Sequence, residues 1–402
     1  VNGNVRALEI GSGSGAVSIS LAEMGWSVTA IDVNPMAVAA TRSNTHQKGG
    51  HEVDCIEGSF DEIASLRKGM FDLIVWNLPY IEIPSDPPSL EVIEEASMID
   101  AGSEGWASEL RAYLMANPFM LSPDGAVVLL YRTHPESPSK PEGWIMDGWA
   151  TRTISSLFVG GEKLEVVGHW RPGLNEQPVH LEEVSSTMEY EFPGRYRFER
   201  VFADNQVSGK GRKDSEWITD PDGIAGTWSI ASMAGLSPGI LQIGLGAALS
   251  SAFNMHLKWP NDIVDGGYRK CGGVLSELLS NGRVRMGVGV NRYGQQIPGV
   301  ETTGWDASLP TMAKTTATCV ADAAVASALD AHPLIGNPNS ENLRKSAWKE
   351  ISEVLSRGHV AIVNGIHKRT VGIGENGEVL LAGNSHVISI SEVDQIYWEV
   401  TS

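Results

Sequence analysis

The sequence has few cysteines, a deficit of positive charge and no long apolar run. Its 3 cysteines, Cys55, Cys271 and Cys319, lie far apart, so neither a disulfide framework nor a thiolate zinc site can be built from them. Lysine and arginine number 30 against 49 aspartate and glutamate, a net charge of −19, which argues against a nucleic-acid partner. No stretch approaches the ~18 apolar residues of a membrane span, and no signal-peptide layout opens the sequence. We therefore expect a soluble cytoplasmic protein without a membrane partner.

Length and patterning predict several domains. At roughly 150 residues per domain, the chain corresponds to two or three domains. Residues 1–172 alternate short β-branched runs with helical stretches, which is typical of a parallel α/β sheet, although strands after Trp170 are hard to locate. Residues 179–330 indicate an α+β domain with a mixed sheet, 331–355 a connecting helix, and 356–402 a small antiparallel β-barrel. The predicted fold class is a multidomain protein that combines α/β and α+β domains.

The first segment opens with a strand, a glycine-rich turn and a helix. Glycines let a backbone turn tightly and approach a ligand, and an acid about twenty positions later can accept ribose hydroxyls. The spacing resembles motif I of the S-adenosylmethionine-dependent methyltransferases, which have a Rossmann-like fold. The resemblance implies that S-adenosylmethionine is bound by Glu9, Gly11, Gly13, Gly15 and Asp32. The alternative is a tight strand-to-helix turn without a ligand.

A second motif, Asn77-Leu78-Pro79-Tyr80, directly follows a buried strand. It resembles the Asn-Pro-Pro-Tyr motif of methyltransferases that act on planar nitrogen, either a glutamine amide or the exocyclic amino group of adenine. Asn77 would accept hydrogen bonds from that amino group and orient it, and Tyr80 would stack on the planar group. Leu78 replaces the first proline, but Pro79 still biases it towards an extended conformation.

Residues that flank this motif indicate which group of methyltransferases the segment resembles. Residues 81–84, the region of Trp106 and residues 121–125 are similar to release-factor glutamine methyltransferases, over about residues 5–131. The resemblance implies a translation release factor as partner and, as for some relatives, a small activator subunit. Ser59 stands where the family has an acid, and the short stretch before motif I suggests a truncated start. The alternatives are adenine as the acceptor, which the acidic charge disfavours, and an inactive domain that docks a partner or dimerises.

The second segment carries five motifs in order. Gln206 to Arg212 and Lys258 to Asp262 resemble the two signature motifs of biotin protein ligases, with further matches at Ser186-Thr187, 270–277 and 287–291. The barrel is similar to the C-terminal domain of that family. Activating a carboxylate with ATP brings two anions together, so the site needs fixed cations and Mg²⁺ on the phosphates. The same fold serves lipoate ligases, but the Trp-Pro-Asn-Asp continuation favours biotin.

The ligase resemblance implies a complete set of roles. Lys258 and Arg212 would be catalytic at the α-phosphate, and the loop from Gly209 would close over the biotinyl-adenylate and exclude water. The carrier lysine of an acyl-CoA carboxylase then attacks the activated carbonyl. Biotin and ATP would be bound by Ser186, Thr187, Gln206, Gly209, Lys210, Gly211, Arg212, Trp217, Lys258, Asn261, Asp262, Lys270 and Asn291.

Some positions depart from the family pattern or carry no function. Met188 replaces an asparagine and Lys210 an arginine, which predicts weaker ligand retention but not lost activity. The histidines show no metal-ligand cluster at helical spacing, so we expect His46, His51, His169 and His180 at surface or strand positions, and Trp228 and Trp398 in the core. No helix-turn-helix precedes the ligase motifs, which argues against a repressor role.

Overall fold

The chain divides into two compact units. A computed structural model describes residues 5–47, 53–66, 70–80, 100, 104–174, 176–212, 215–231 and 235–400. The first unit comprises Val1–Ile145, Trp149–Leu174 and Pro333–Ile335, and the second Met146–Gly148, Asn175–His332 and Gly336–Ser402. Within the described part of the chain, no helix is both long enough and apolar enough to cross a membrane.

The first unit is built on a seven-stranded sheet. Its strands are β1 (Arg6–Ile10), β2 (Ser27–Asp32), β3 (Val53–Glu57), β4 (Phe71–Asn77), β5 (Leu121–His134), β6 (Ala150–Val159) and β7 (Glu162–Trp170). The helices are α1 (Ala16–Glu23), α2 (Pro35–Gln47), α3 (Gly105–Ala116) and the single turn α4 (Gly143–Met146). The strand order is β3-β2-β1-β4-β5-β7-β6. Strands β1 to β5 are parallel and β7 is antiparallel to both neighbours.

The predicted α/β sheet is confirmed with five parallel strands, and its last strand in sequence ends at Trp170, where further strands were hard to locate. The antiparallel hairpin of β6 and β7 completes the sheet at that residue. Strand β6 is mostly exposed, with a sequence rich in serine and threonine, so it lacks the apolar signal of a buried strand. The central strands have that signal, and Leu8, Ile74 and Val127 are buried in the core.

The second unit has a mixed seven-stranded sheet, as predicted. Its order is β13-β14-β15-β16-β12-β9-β8, in which β8 and β9 pair in parallel and the other neighbouring strands pair antiparallel. The strands are β8 (Val179–Val184), β9 (Phe198–Gln206), β12 (Ile224–Ile230), β13 (His256–Lys258), β14 (Asp262–Val264), β15 (Lys270–Leu278) and β16 (Val284–Val290). A separate small hairpin joins β10 (Gly209–Lys210) to β11 (Glu216–Trp217). Three helices pack in this unit: α5 (Pro238–Ala252), α6 (Lys314–Leu329) and α7 (Ser340–Ser356).

The last part of the second unit forms two small antiparallel sheets. One contains β17 (His359–Val363), β18 (Ile366–Lys368) and β22 (Tyr397–Val400), and the other contains β19 (Thr370–Ile373), β20 (Val379–Ala382) and β21 (Val387–Ile390). Among the described residues the two sheets do not pair into a closed barrel, so the predicted barrel stays a prediction. The predicted connecting helix corresponds to α7.

Candidate functional site

In the first unit, the glycine turn lies where the strand order reverses. Strands β1 and β4 are neighbours whose connections run in opposite directions, and ligands bind at such a switch point beyond the carboxyl ends of the strands. Gly11, Gly13 and Gly15 all have positive φ, at 65°, 53° and 78°. A Cβ on Gly15 would lie 2.8 Å from Thr41 Cγ2, whereas one on Gly13 would meet nothing within 4 Å. Gly15 therefore serves packing, and Gly13 borders open space.

The two acids of this loop are held differently. The Asp32 carboxylate accepts hydrogen bonds from the Gly13 and Asn34 amides, each at 2.9 Å, and keeps lone pairs for a ligand. Glu9 is buried, and its Oε2 accepts from both the amide and the hydroxyl of Ser18 in α1. Burial raises the pKa of Glu9. Glu9 therefore anchors the helix start, and Asp32 is the better placed acid for ribose hydroxyls.

The acceptor motif lies at the end of β4. Asn77 is exposed, Leu78 is buried, and Pro79 and Tyr80 are half-buried. The Arg132 guanidinium carbon lies 5.4 Å from the centre of the Tyr80 ring, so a cation already covers part of the aromatic face predicted to stack on a substrate. Residues 81–84 of the same prediction lie outside the described residues.

Sequence reasoning missed an aromatic cluster beside the glycine turn. Phe60 packs against Trp76 and Tyr113 with ring centres 5.4 and 5.6 Å apart, and Trp106 lies 6.1 Å from Trp76. Trp76 also reaches the turn, since a Cβ on Gly11 would lie 3.1 Å from its Nε1. Their positions in the sequence were the available signal, because Phe60 follows β3 and Trp76 is the second-last residue of β4.

In the second unit, one cavity of about 390 Å³ gathers residues of all the predicted motifs. Eleven of the thirteen predicted biotin and ATP residues line it: Ser186, Thr187, Gln206, Lys210, Gly211, Arg212, Trp217, Lys258, Asn261, Asp262 and Lys270. Gly209 and Asn291 are outside the lining. Asn291 is buried, and its side-chain oxygen accepts from the Asp220 amide at 3.0 Å, so it supports the loop beside the cavity.

The two lysines of the cavity have different neighbours, an aromatic ring for Lys258 and a carboxylate for Lys270. Lys258 Nζ lies 4.8 Å from the centre of the Tyr268 ring, and burial lowers the pKa of this lysine. Lys270 pairs with Asp262 at 2.6 Å and lies 5.4 Å from the ring centre of Trp217. Because Lys258 is partly desolvated, a phosphate or carboxylate beside it would regain charge compensation.

A chain of hydrogen-bonded polar side chains runs from the lining, at Gln206 and Thr187, into the core at Thr227. Gln206 Oε1 accepts from the Thr187 amide at 2.9 Å and from its hydroxyl at 3.1 Å, and the Thr227 hydroxyl donates to Thr187 Oγ1 at 2.9 Å. Ser186 is fully buried and its Oγ accepts from the Met188 amide. These fixed groups suit a ligand with a compact set of donors and acceptors, such as a ureido ring.

The predicted closing loop is the tip of the small hairpin. Gly209 pairs with Trp217, and the Gly211 amide donates to the Ser215 carbonyl at 2.7 Å. A Cβ on Gly211 would lie 2.4 Å from Ser215 Oγ. Glycine is therefore required for the two limbs to approach, and the same pairing carries Trp217 into the cavity.

Residues 393–398, which no sequence motif marked, also contribute to this cavity. Val393, Asp394, Ile396, Tyr397 and Trp398 line the same cavity. Trp398 is half-buried there, so the expectation that it is a core residue is wrong, while Trp228 is fully buried as predicted. The indole N–H groups of Trp217 and Trp398 are buried and have no hydrogen-bond partner among the described residues. Neither donor is satisfied within the described structure.

The predicted histidine positions are confirmed wherever the structure describes them. His46 and His180 are exposed, and His169 lies fully buried in β7, bonded to the Tyr131 hydroxyl at 3.0 Å. His51 lies outside the described residues.

Comparison with known proteins finds matches of two kinds. Residues 7–98 match the family model described as a methyltransferase domain. Among curated proteins, the release factor glutamine methyltransferase of Shewanella oneidensis is 30% identical over 132 residues, covering 30% of this chain and 46% of that protein. The biotin–[acetyl-CoA-carboxylase] ligase of Paracoccus denitrificans is 31% identical over 118 residues, covering 26% of this chain and 48% of that protein.

Among solved structures, the biotin protein ligase from Aquifex aeolicus in complex with biotin and ATP superposes with a TM-score of 0.43 at 20% identity. That match covers 56% of this chain and all of that one. The chain spans about half the length of the curated relatives it matches. The predicted resemblances, to glutamine methyltransferases in the first segment and to biotin ligases in the second, are confirmed.

Proposed function

We propose that the second unit is an ATP-dependent biotin protein ligase. It forms biotinyl-5′-AMP and transfers biotin to a lysine on the carrier domain of an acyl-CoA carboxylase. The observation that carries this proposal is the single cavity in which eleven residues from separate motifs meet. The sequence similarity to a biotin–[acetyl-CoA-carboxylase] ligase supports it.

The chemistry follows from the lining residues. A biotin carboxylate oxygen attacks the α-phosphorus of ATP, and the bond to pyrophosphate breaks. Lys258 and Arg212 offset the charge that accumulates there. Mg²⁺ would supply further positive charge, and Asp262 is a lining carboxylate that would suit it. The hairpin of Gly209 to Trp217 shelters the mixed anhydride from water. The carrier lysine nitrogen then attacks the carbonyl, releasing AMP and a proton.

Biotin-dependent exchange of pyrophosphate into ATP tests the first step. We expect Lys258→Ala to lower the exchange rate at least ~100-fold, because it removes a fixed cation at the reacting phosphate. Lys345→Ala is the matched control, since Lys345 is exposed on α7 and pairs only with Glu341 in the described structure. Unchanged exchange in the Lys258 variant would rule out the assigned role. Lipoate transfer without biotin transfer would place the unit with the lipoate ligases.

For the first unit we propose S-adenosylmethionine-dependent methylation of a glutamine amide in a translation release factor. The open space at Gly13, the Asp32 carboxylate and Asn77 at the end of the next strand fit a cofactor and a planar acceptor. S-adenosylmethionine supplies an electrophilic methyl group. Asn77 orients the amide so that its nitrogen faces that group, and the nitrogen loses a proton as the new bond forms. The relatives that carry this name support the proposal.

Two alternatives remain for this unit: an inactive domain that docks a partner, and methylation of adenine N6. Calorimetric titration of the full chain with S-adenosylmethionine separates activity from docking, and micromolar affinity is the expected result. Transfer of labelled methyl groups to a release factor or to an adenine-containing oligonucleotide, with and without a small activator subunit, then identifies the acceptor. Absence of cofactor binding would leave the ligase as the sole activity.

A further inference from the structure

A group of potential metal ligands lies outside both sites described above. His256 begins β13, and Glu350 and Glu353 lie on α7. One ligand atom from each of the three side chains can be chosen so that all lie within 4.8 Å of one another. The two glutamates are three positions apart, which places them on one face of the helix. Strand and helix therefore present an imidazole and two carboxylates to the same point.

The burial of these groups distinguishes them from an ordinary surface cluster. Glu350 is only 7% exposed, and its carboxylate oxygens, which keep slight contact with solvent, make no hydrogen bond with any described residue. His256 Nδ1 is also buried without a hydrogen-bond partner, and the nearest Glu353 oxygen is 3.7 Å away. A carboxylate that is buried without a hydrogen bond is costly unless another charge compensates it. A cation among the three groups would supply that compensation.

We propose that His256, Glu350 and Glu353 bind one zinc ion. The donor set is one imidazole nitrogen and two carboxylate oxygens, which suits Zn²⁺ with water in the fourth position. Mg²⁺ and Ca²⁺ instead prefer six or more oxygen ligands. Ligands of a tetrahedral zinc ion lie about 3.3 Å apart, so the cluster has to contract slightly. The Glu353 side chain is 49% exposed and has room to rotate inward.

The position of the site suggests what the metal does. It connects α7 to β13, and Lys258 is the last residue of that short strand. A zinc ion there cross-links the helix to the strand that carries the reactive lysine. It therefore stabilises the second unit without touching the ligand cavity.

Metal binding to the full chain tests this inference. The protein is made without a polyhistidine tag, stripped with a chelator, and titrated with ZnCl₂ in a calorimeter and with Co²⁺ in an absorption experiment. We expect one equivalent of zinc to bind, Co²⁺ to give visible d–d bands, and zinc to raise the Tm. Glu350→Gln preserves the shape of the side chain and removes its charge. It should weaken zinc binding by roughly 100-fold or more, since even indirect ligand contacts are worth 10–100-fold.

Glu341→Gln is the matched control, because it makes the same charge change on an exposed residue of the same helix. His256→Asn and Glu353→Gln repeat the test from the strand and from a half-exposed position, should Glu350→Gln not fold. The proposal is overturned if the wild-type chain binds no zinc. It is also overturned if the three ligand variants bind like the wild type, or if millimolar Mg²⁺ competes on equal terms.

Discussion

Replacing Gly289 with alanine should damage the ligand cavity by displacing Trp217. The two residues are in contact: a Cβ on Gly289 would lie 2.3 Å from the indole Nε1 and 2.5 Å from Cε2. Carbon atoms in favourable contact are about 3.5–4.0 Å apart, so the ring has to retreat by more than ~1 Å. The indole borders the cavity of about 390 Å³ and can move into it. The unit then still folds, but the displaced indole occupies space that the ligand needs.

The size of the effect follows from the cost of overpacking. Inserting a methyl group into a filled site costs about 1–3 kcal/mol, which corresponds to a loss of roughly 5- to 150-fold in affinity if binding requires the ring in its original place. Calorimetric titration of Gly289→Ala with biotin and with ATP measures this loss. The thermal midpoint should change little, because the ring relaxes into open space.

Gly273 provides a control on the neighbouring strand. It pairs directly with Gly289 and also lines the cavity, but the nearest atom to its added Cβ would be 3.5 Å away. Gly273→Ala therefore adds the same volume to the same cavity without touching Trp217. Equal losses in the two variants would show that filling the cavity explains the effect, and unchanged affinity in Gly289→Ala would refute the reasoning.

Three further predictions address other groups. Trp398→Phe removes an unpartnered indole donor, so ATP affinity should fall about 10-fold for one lost hydrogen bond; unchanged calorimetric affinity would show that this donor is not used. Asp32→Asn should weaken S-adenosylmethionine binding roughly 10- to 100-fold by removing a charged acceptor, and equal affinities would argue against a ribose contact. Burial holds the pKa of His169 well below its ordinary value, so only the unfolded state takes up a proton below pH ~6.5. Stability should be lost as the pH falls below that point, and His169→Gln should reduce this loss in thermal unfolding.

Local patterns in the sequence predict much of the fold. The strands Arg6–Ile10, His359–Val363 and Val379–Ala382 lie where their apolar patterns place them. Strand β6 was not predicted, because an exposed edge strand needs no apolar face that a sequence pattern could show. The helix predicted at 331–355 begins later in the structure, because α7 starts at Ser340 after its Asn339 cap.

In the candidate site, too, local sequence motifs predict some residues, whereas others are brought in only by contacts between distant segments. Motif spacing locates Lys258, Gln206 and Asp262, because each motif is a short continuous segment. Trp398 could not be assigned in this way, since its place in the cavity depends on pairing between β17 and β22. From the sequence, Glu350 is likewise one polar residue of an amphipathic helix. Its proximity to His256 follows from the packing of α7 against β13.

The cavity is assembled from Ser186 at one end of the second unit to Trp398 at the other. A nascent chain emerges from the ribosome in sequence order, and domains form as their residues become available. The glycine turn and Asn77 are synthesised early, whereas the lining of the cavity is incomplete until Trp398 has been added. The two sites therefore mature at different times, and a chain halted before β22 would present Lys258 and Arg212 in an unfinished pocket.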